Sequence, residues 1–459
     1  MDGHPHGRAA TALLALIGAG LVLRLLLAYV FLPHSGYFAD FRFYANWTWT
    51  LLDVGPGGFY ENVVFSDYPP GYLYILWLLG SIDLVLARMS GADLGTLIFE
   101  SLKIPPILID ACAAFLIYRL VRGWPGLKVH RERTALAAAA IYTFNPVVWY
   151  DSAIWGQTDS VGALVMLATL LSLMRGPPEI AAAVAVLAGL LKPQFGVIAA
   201  PLVAVVLLKR HLSREARAHW MSADGPVRLL SSALAAVVVL YAVIAPFNLT
   251  IVSFFKRVTG AAATYPYLSA NAFNPWALVG TPSLATSGLG VWTRDDILLF
   301  GSIHAVTVGA ILLALGFSVG AARLLWRSDM RSIVLVGAYL CLCFFILPTR
   351  VHERYLLPGF AFFSLLAAFD RNWFWLTVAA AMGALINLHA VLTQVTEGSP
   401  SVTALPLGDF CRSPLGITLS VMLQTVVFVL ALWRLRPVPA PIDSAETSAV
   451  RAANFTAST

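Results

Sequence analysis

Charge is what this chain has least of. Only 12% of its 459 residues are Asp, Glu, Lys or Arg, where a soluble domain carries about 25%. The hydrophobic share is 59% and the mean hydropathy +0.78. That scarcity excludes a soluble globular protein and puts most of the chain in lipid. Cysteine is nearly as rare. Cys112, Cys341, Cys343 and Cys411 have no metal-ligand spacing, and the first three lie in apolar stretches, so they read as helix-packing residues. No small-residue cleavage site follows the first apolar segment, which is therefore expected to stay as a membrane helix. No internal repeat stands out. The net charge is +6, but the Lys and Arg residues fall in short runs between apolar segments. They are an orientation signal and not a nucleic-acid surface.

What is abundant is apolar sequence in lengths suited to a bilayer. Crossings are expected near 12–32, 104–121, 134–150, 158–174, 180–191, 194–208, 228–246, 297–325, 331–347, 354–369, 373–393 and 416–434. The runs "YRLVRGWPGLKVHRERT" (118–134), "KRHLSREAR" (209–217) and "RLLWRSDMR" (323–331) are dense in cations and face the cytoplasm by the positive-inside rule. An odd number of crossings must then separate 33–68 from 118–134. The Tyr- and Trp-rich segment 71–88 is accordingly expected to lie along the outer surface. "KPQ" (192–194) interrupts the apolar stretch 180–208, which reads as two short helices with a turn between them. Arg24, inside the first crossing, either faces neighbouring helices or snorkels. The fold expected is an all-α polytopic membrane protein of about twelve helices over residues 1–436, with both termini cytoplasmic and a disordered tail over 437–459.

With sidedness set, the unusual polar motifs gather at the outer end. They are "YFADFRFYANW" (37–47), "FSDYPPGYLY" (65–74), "FNPVVWYDSAIWGQTDS" (144–160), "KPQ", "YPYLSANAFNPWALVG" (265–280) and "PTRVHERYLLP" (348–358). Dispersed in sequence, they converge only if the bundle closes round an outward-opening cavity. Acids, bases, amides and aromatics together suit a polar substrate carrying a lipid tail. Each has a plainer reading: Asp40 as a helix cap, Trp155 and the tyrosines as belt aromatics, Asp67 as a turn residue, Lys192 as a snorkelling cation. Their coincidence at one end favours a site.

An acid soon after the first crossing, "DYPP", "WGQTD", the "KPQ" turn and "VHER" together resemble the C-type (GT-C) integral membrane glycosyltransferases. The likeness is greatest to the eukaryotic lipid-phosphate-sugar-dependent glucosyltransferases of N-glycan assembly. The chain also looks like bacterial relatives of GPI mannosyltransferase II. The resemblance runs from residue 12 to about 370, with two departures: Arg354 stands where the relatives have lysine, and Pro193 splits a Lys–Gln pair.

The resemblance implies a GT-C-like bundle with interfacial helices in the first extracytoplasmic loop. It implies an inverting hexosyltransferase (EC 2.4.-.-) of the bacterial plasma membrane, acting on the extracytoplasmic face. The donor would be a polyprenyl-phosphate sugar, mannose foremost, and the acceptor a hydroxyl on a glycan, glycolipid or protein. Asp40 would be the general base. His352, Arg354, Arg350 and Lys192 would hold the donor phosphate, with Glu353 orienting one of them. Asp67, Tyr68, Trp155, Gln157, Asp159, Gln194, Asn271 and Asn274 would complete the substrate site. A single phosphate leaving group needs no metal and no cofactor beyond the lipid-linked sugar; nucleic acid is not a partner. The alternative is a secondary transporter or flippase, which would place its polar groups near the midplane.

Overall fold

A computed structural model describes residues 5–279, 292–394 and 400–436; the tail expected to be disordered, 437–459, lies outside the described residues. The chain is an all-α membrane protein. Among the described residues the one sheet is a two-stranded hairpin, Leu298–Phe300 with Ile303–His304. Prolines open helices here more often than they break them: Pro70, Pro178, Pro193 and Pro414 each stand in a first helical turn, where a missing N–H costs nothing.

Among the described residues eight helices are long and apolar enough to cross a membrane: Arg8–Phe31, Pro70–Ser90, Leu94–Arg122, Pro193–His211, Val227–Phe247, Ala305–Trp326, Arg371–Leu392 and Pro414–Arg434. The remaining passes are shorter. Pro178–Leu191 has 14 residues and Gly359–Ala367 nine, or about 21 and 14 Å at 1.5 Å per residue, against a hydrocarbon core of about 30 Å. The pass expected at 134–150 is broken into Arg131–Thr143, Pro146–Trp149 and the π-helical turn Tyr150–Trp155. These short pieces survive because protein surrounds them. Met330–Ile346, also short at 17 residues, is buried along almost its whole length.

Pro70–Ser90 has the length of a crossing, yet its contacts keep to one end of the bundle. Gly71 lies against the backbone of Leu190 and Leu191, just before Lys192. Farther along, Asp83 accepts a hydrogen bond from Ser101 Oγ at 2.6 Å, beside the start of the Ile104–Arg122 helix. Lys103, two residues on, touches Gly156 in the same polar layer. Both of these contacts thus lie beside residues of the polar layer, while the helix has the length and composition of a crossing, against the expectation that it lies along the surface.

The "KPQ" turn forms as expected. Lys192 is extended and joins Pro178–Leu191 directly to Pro193–His211. The two helices cross closely because both contact positions are glycine: a Cβ on Gly196 would sit 2.6 Å from Gly189 Cα. Cys112 departs from its expected packing role, being exposed, whereas Cys341, Cys343 and Cys411 are buried.

Basic residues collect at the opposite end. Lys209 Nζ donates to Leu324 O at 3.1 Å and Arg210 Nη2 to Leu173 O at 3.1 Å, while the Trp124 ring lies 4.7 Å from that of Phe369. One charged pair is sealed between these ends. Arg24, 2% exposed, donates from Nε to Asp110 Oδ2 at 2.9 Å and from Nη1 to the carbonyls of Gly20 and Thr143. Tyr142 Oη donates to the other Asp110 oxygen at 3.0 Å. Arg24 thus faces its neighbours and does not snorkel. Removing one partner of a buried pair leaves the other charge uncompensated. Asp110→Ala is expected to cost about 3–5 kcal/mol, read as a lower melting temperature of the purified protein, with Asp110→Asn closer to the parent.

Candidate functional site

The polar layer is assembled from five separate parts of the chain. Asp40 stands in the first turn of Phe38–Asn62. Its Oδ2 accepts from Trp155 Nε1 at 2.9 Å and from Gln157 Nε2. Trp155 and Gln157 are set by the π turn that ends at Gly156, whose φ of 80° is left-handed. The N–H groups of Gly156 and Gln157 both donate to Asp151 O. Only glycine fits at 156 sterically as well, since a Cβ would meet the Phe41 ring at 2.4 Å. Trp155 is fully buried. That excludes the membrane-belt reading.

Arg354 is the hub. Its Nη1 donates to Glu353 Oε1. Nη2 lies 3.8 Å from Asp40 Oδ1, and Nε lies 3.7 Å from Asp159 Oδ2. Its guanidinium carbon sits 5.8 Å from the centre of the Trp155 ring. Lys192 Nζ binds the other Asp159 oxygen at 3.1 Å and lies over the rings of Tyr68 and Tyr355 at 5.4 and 5.7 Å. It is buried, so it does not snorkel. Tyr68 Oη reaches Tyr44 Oη at 3.0 Å and Thr158 Oγ1 at 3.3 Å, and Tyr44 Oη donates to Gln157 Oε1 at 2.9 Å.

The four basic residues expected to hold phosphate are divided. Arg354 and Lys192 are inside the cluster, each already facing carboxylates. Arg350, left-handed at φ 65°, turns to Asp295, donating from Nε and Nη2 at 2.6 and 3.2 Å. His352 packs edge-on against Tyr265 at 4.8 Å and near Tyr355 at 5.2 Å. Burial, aided by the charge of Arg354, holds the His352 imidazole neutral well below its usual range.

The amides serve the frame more than the cluster. Asn274 Nδ2 donates to Phe345 O at 2.9 Å while its Oδ1 caps the turn at Trp276. Asn271, left-handed at φ 70°, accepts at its backbone oxygen from Asn387 Nδ2. The loop 265–271 pairs with 350–352 through Arg350 N to Tyr267 O and Ala270 N to Val351 O, so the two outer segments do meet. Gln194 is buried beside Lys192, with its Nε2 lacking a hydrogen-bond partner. Asp67 is half-buried as a residue, but its carboxyl sits deep enough that desolvation raises its pKa. Burial raises that of Glu353 likewise.

Three polar atoms around the hub have no hydrogen-bond partner in the protein: Asp159 Oδ2, Glu353 Oε2 and Arg354 Nε. With Asp40, Asp159 and Glu353 set against Arg354 and Lys192, the cluster has more carboxylate than cation. It is better matched to hydroxyl or ammonium donors than to a further anion. Sequence reading passed over Tyr44, Thr158, Tyr265, Tyr355, Asp295 and Asn387. Tyr44 alone carried a signal, standing one helical turn after Asp40 on the same face.

The family model for the GPI transamidase subunit PIG-U matches residues 59–278. No curated protein matches the chain. The matched part holds Asp67, Tyr68, Trp155, Gln157, Asp159, Lys192, Gln194, Asn271 and Asn274, and leaves out Asp40 and the segment 350–354. The chain is thus similar over this span to a multi-span membrane protein family. This finding overturns the expected function. The family named is a subunit of an enzyme that attaches proteins to GPI, neither a hexosyltransferase using a polyprenyl-phosphate sugar nor a transporter or flippase. The donor expected from the resemblance and the bacterial plasma membrane find no support in it.

Two outcomes follow from the geometry. Arg354→Ala strands Asp40, Glu353 and Asp159 together and is expected to cost about 3–5 kcal/mol; Arg354→Lys restores part of it, as thermal unfolding of purified protein will show. Asp67 has a folded-state pKa above its unfolded value, so its charge opposes folding as pH rises from about 4 through the raised value. Asp67→Asn should raise the melting temperature at pH 7 and leave it unchanged at pH 4.

Proposed function

We propose that this chain is a multi-span subunit of a membrane enzyme complex of the transamidase kind, and that its polar cluster recognises the sugar-bearing headgroup of a glycolipid on the extracytoplasmic side. The match over 59–278 supports the class. The observation that carries the site is the convergence of Asp159 Oδ2, Glu353 Oε2 and Arg354 Nε, all buried and without a hydrogen-bond partner in the protein, the first and last facing each other across 3.7 Å. Buried polar atoms are normally satisfied, and a hydroxyl-rich headgroup satisfies all three at once.

In this reading Asp40 has a binding role. Its Oδ2 is already committed to Trp155 and Gln157, while Oδ1 faces Arg354 across 3.8 Å. Asp40 and Arg354 are more exposed than the rest of the hub, at 16% and 11%, so ligand enters past them. Lys192 stays with Asp159 as an internal counter-ion. The surplus of carboxylate also suits an ammonium group, and an amine is what any transamidase must present to its acyl donor. The dense basic loops place the opposite end in the cytoplasm, which leaves the cluster facing outward.

The test is binding by the full chain in nanodiscs. A glycosylated inositol phospholipid should bind at least tenfold more tightly than the same phospholipid without its sugars. Asp40→Asn should weaken that affinity by roughly 10- to 100-fold, the loss of a hydrogen bond to a charged group. Equal affinity for the two lipids would sink the reading.

A further inference from the structure

An open cavity lies at the other end of the molecule. It occupies about 620 Å³ between the ends of Ala305–Trp326, Met330–Ile346, Arg371–Leu392 and Pro414–Arg434. Five arginines line it: Arg323, Arg327, Arg331, Arg434 and Arg436. Carboxylates are too few to match them. Asp329 is taken by Arg327. Asp370 holds Arg434 at 2.8 Å and Arg331 at 3.8 Å.

Arg323 is the least satisfied. Its Cζ lies 4.6 Å from the centre of the Trp326 ring and its Nη2 donates to Ser332 Oγ at 3.2 Å. Nε and Nη1 are buried without a hydrogen-bond partner among the described residues. The two lie on different edges of the guanidinium, and each leaves a charged donor free for an anionic oxygen such as that of a phosphate or carboxylate.

A second space of about 550 Å³ adjoins the first and shares Arg323, Trp326, Trp433 and Arg436 with it. Its other walls are apolar, among them Val319, Val429 and Leu432. The two helices that form it expose Leu315, Leu325, Met422 and Val426, so it opens on surface that faces lipid. A basic chamber continuous with an apolar slot, ringed by tryptophan at the level where helices leave the membrane, matches a molecule with an anionic head and an acyl tail.

We infer that this cavity is a binding site for an acidic phospholipid of the cytoplasmic leaflet, its phosphate seated on Arg323 and Arg331 and one acyl chain lying along Val319 and Leu432. A solvated basic loop would show the same charge. It would not leave two buried guanidinium N–H groups unpaired above a tryptophan face, nor join an apolar slot.

The experiment is native mass spectrometry of the full chain purified in neutral detergent, with phosphatidylglycerol or phosphatidylcholine added at equal mole fraction. One phosphatidylglycerol should be retained at least tenfold more tightly than phosphatidylcholine. Arg323→Gln and Arg331→Gln should each weaken it roughly five-fold. Arg436→Gln, at the exposed rim, gives the same direction of change should either of those variants fail to fold. Arg214→Gln, on a different basic loop, should leave binding unchanged. Equal retention of the two lipids overturns the site, and so does an equal loss in Arg214→Gln, which would mean diffuse charge. Displacement by inorganic phosphate at matched concentration also overturns it, since it would show a phosphate site without a lipid.

Discussion

A single guanidinium holds the polar end of this molecule together. Arg354 faces carboxylates from two distant parts of the chain, Asp40 after the first helix and Asp159 at the start of another, together with that of its neighbour Glu353. In a low-dielectric surrounding none of these groups is tolerable alone. Together they fix where Phe38–Asn62, the π turn at 150–155, the Lys192 turn and the segment 350–354 must sit. The short passes depend on this arrangement. Pro178–Leu191 and Gly359–Ala367 need not reach the far membrane surface, because a layer of paired polar groups receives their ends.

Much of that layer was legible from the sequence. Asp40, Trp155, Gln157, Asp159, Lys192 and Arg354 converge as their common sidedness suggested. The failures have physical causes. Arg350 and His352 share five residues with Arg354, but Arg350 is left-handed and aims at Asp295, and His352 is held among tyrosine rings. Neighbourhood in sequence does not decide direction where the backbone is irregular. Asn271 and Asn274 lie in a motif that looked like substrate chemistry, yet the Asn274 amide ties the loop to Phe345 and the Asn271 backbone oxygen ties it to Asn387. Hydropathy was also a poor ruler of crossing. It cannot separate a helix buried in protein, such as Met330–Ile346, from one bathed in lipid.

The functional expectation failed for a different reason. Short motifs such as "DYPP" and "VHER" specify a scaffold and a charged layer, and fold does not carry activity with it. The charge balance of the layer was hidden in the sequence. Four basic residues near one another suggested a phosphate clamp; the packed arrangement withdraws Arg350, neutralises His352 and encloses Arg354 and Lys192 in carboxylate. What is left over is acceptor capacity, which favours hydroxyls or an ammonium over another anion.

The two ends of the bundle are therefore opposite in what they lack. At the polar end the atoms without a hydrogen-bond partner include two carboxylate oxygens and carboxylates outnumber cations; at the basic end they are guanidinium N–H groups, with Asp329 and Asp370 alone among the described residues to answer five arginines. Loops following the positive-inside rule need only carry charge, and exposed solvated arginines would meet that need. Arg323 instead buries two donors against Trp326, a desolvation that water alone does not repay. The same reasoning applies to Asp159 Oδ2 and Glu353 Oε2. Where a membrane protein desolvates a polar group and then leaves it unmatched, the missing partner belongs to something the protein binds, and at each end the sign of the unmatched group gives the sign of that partner.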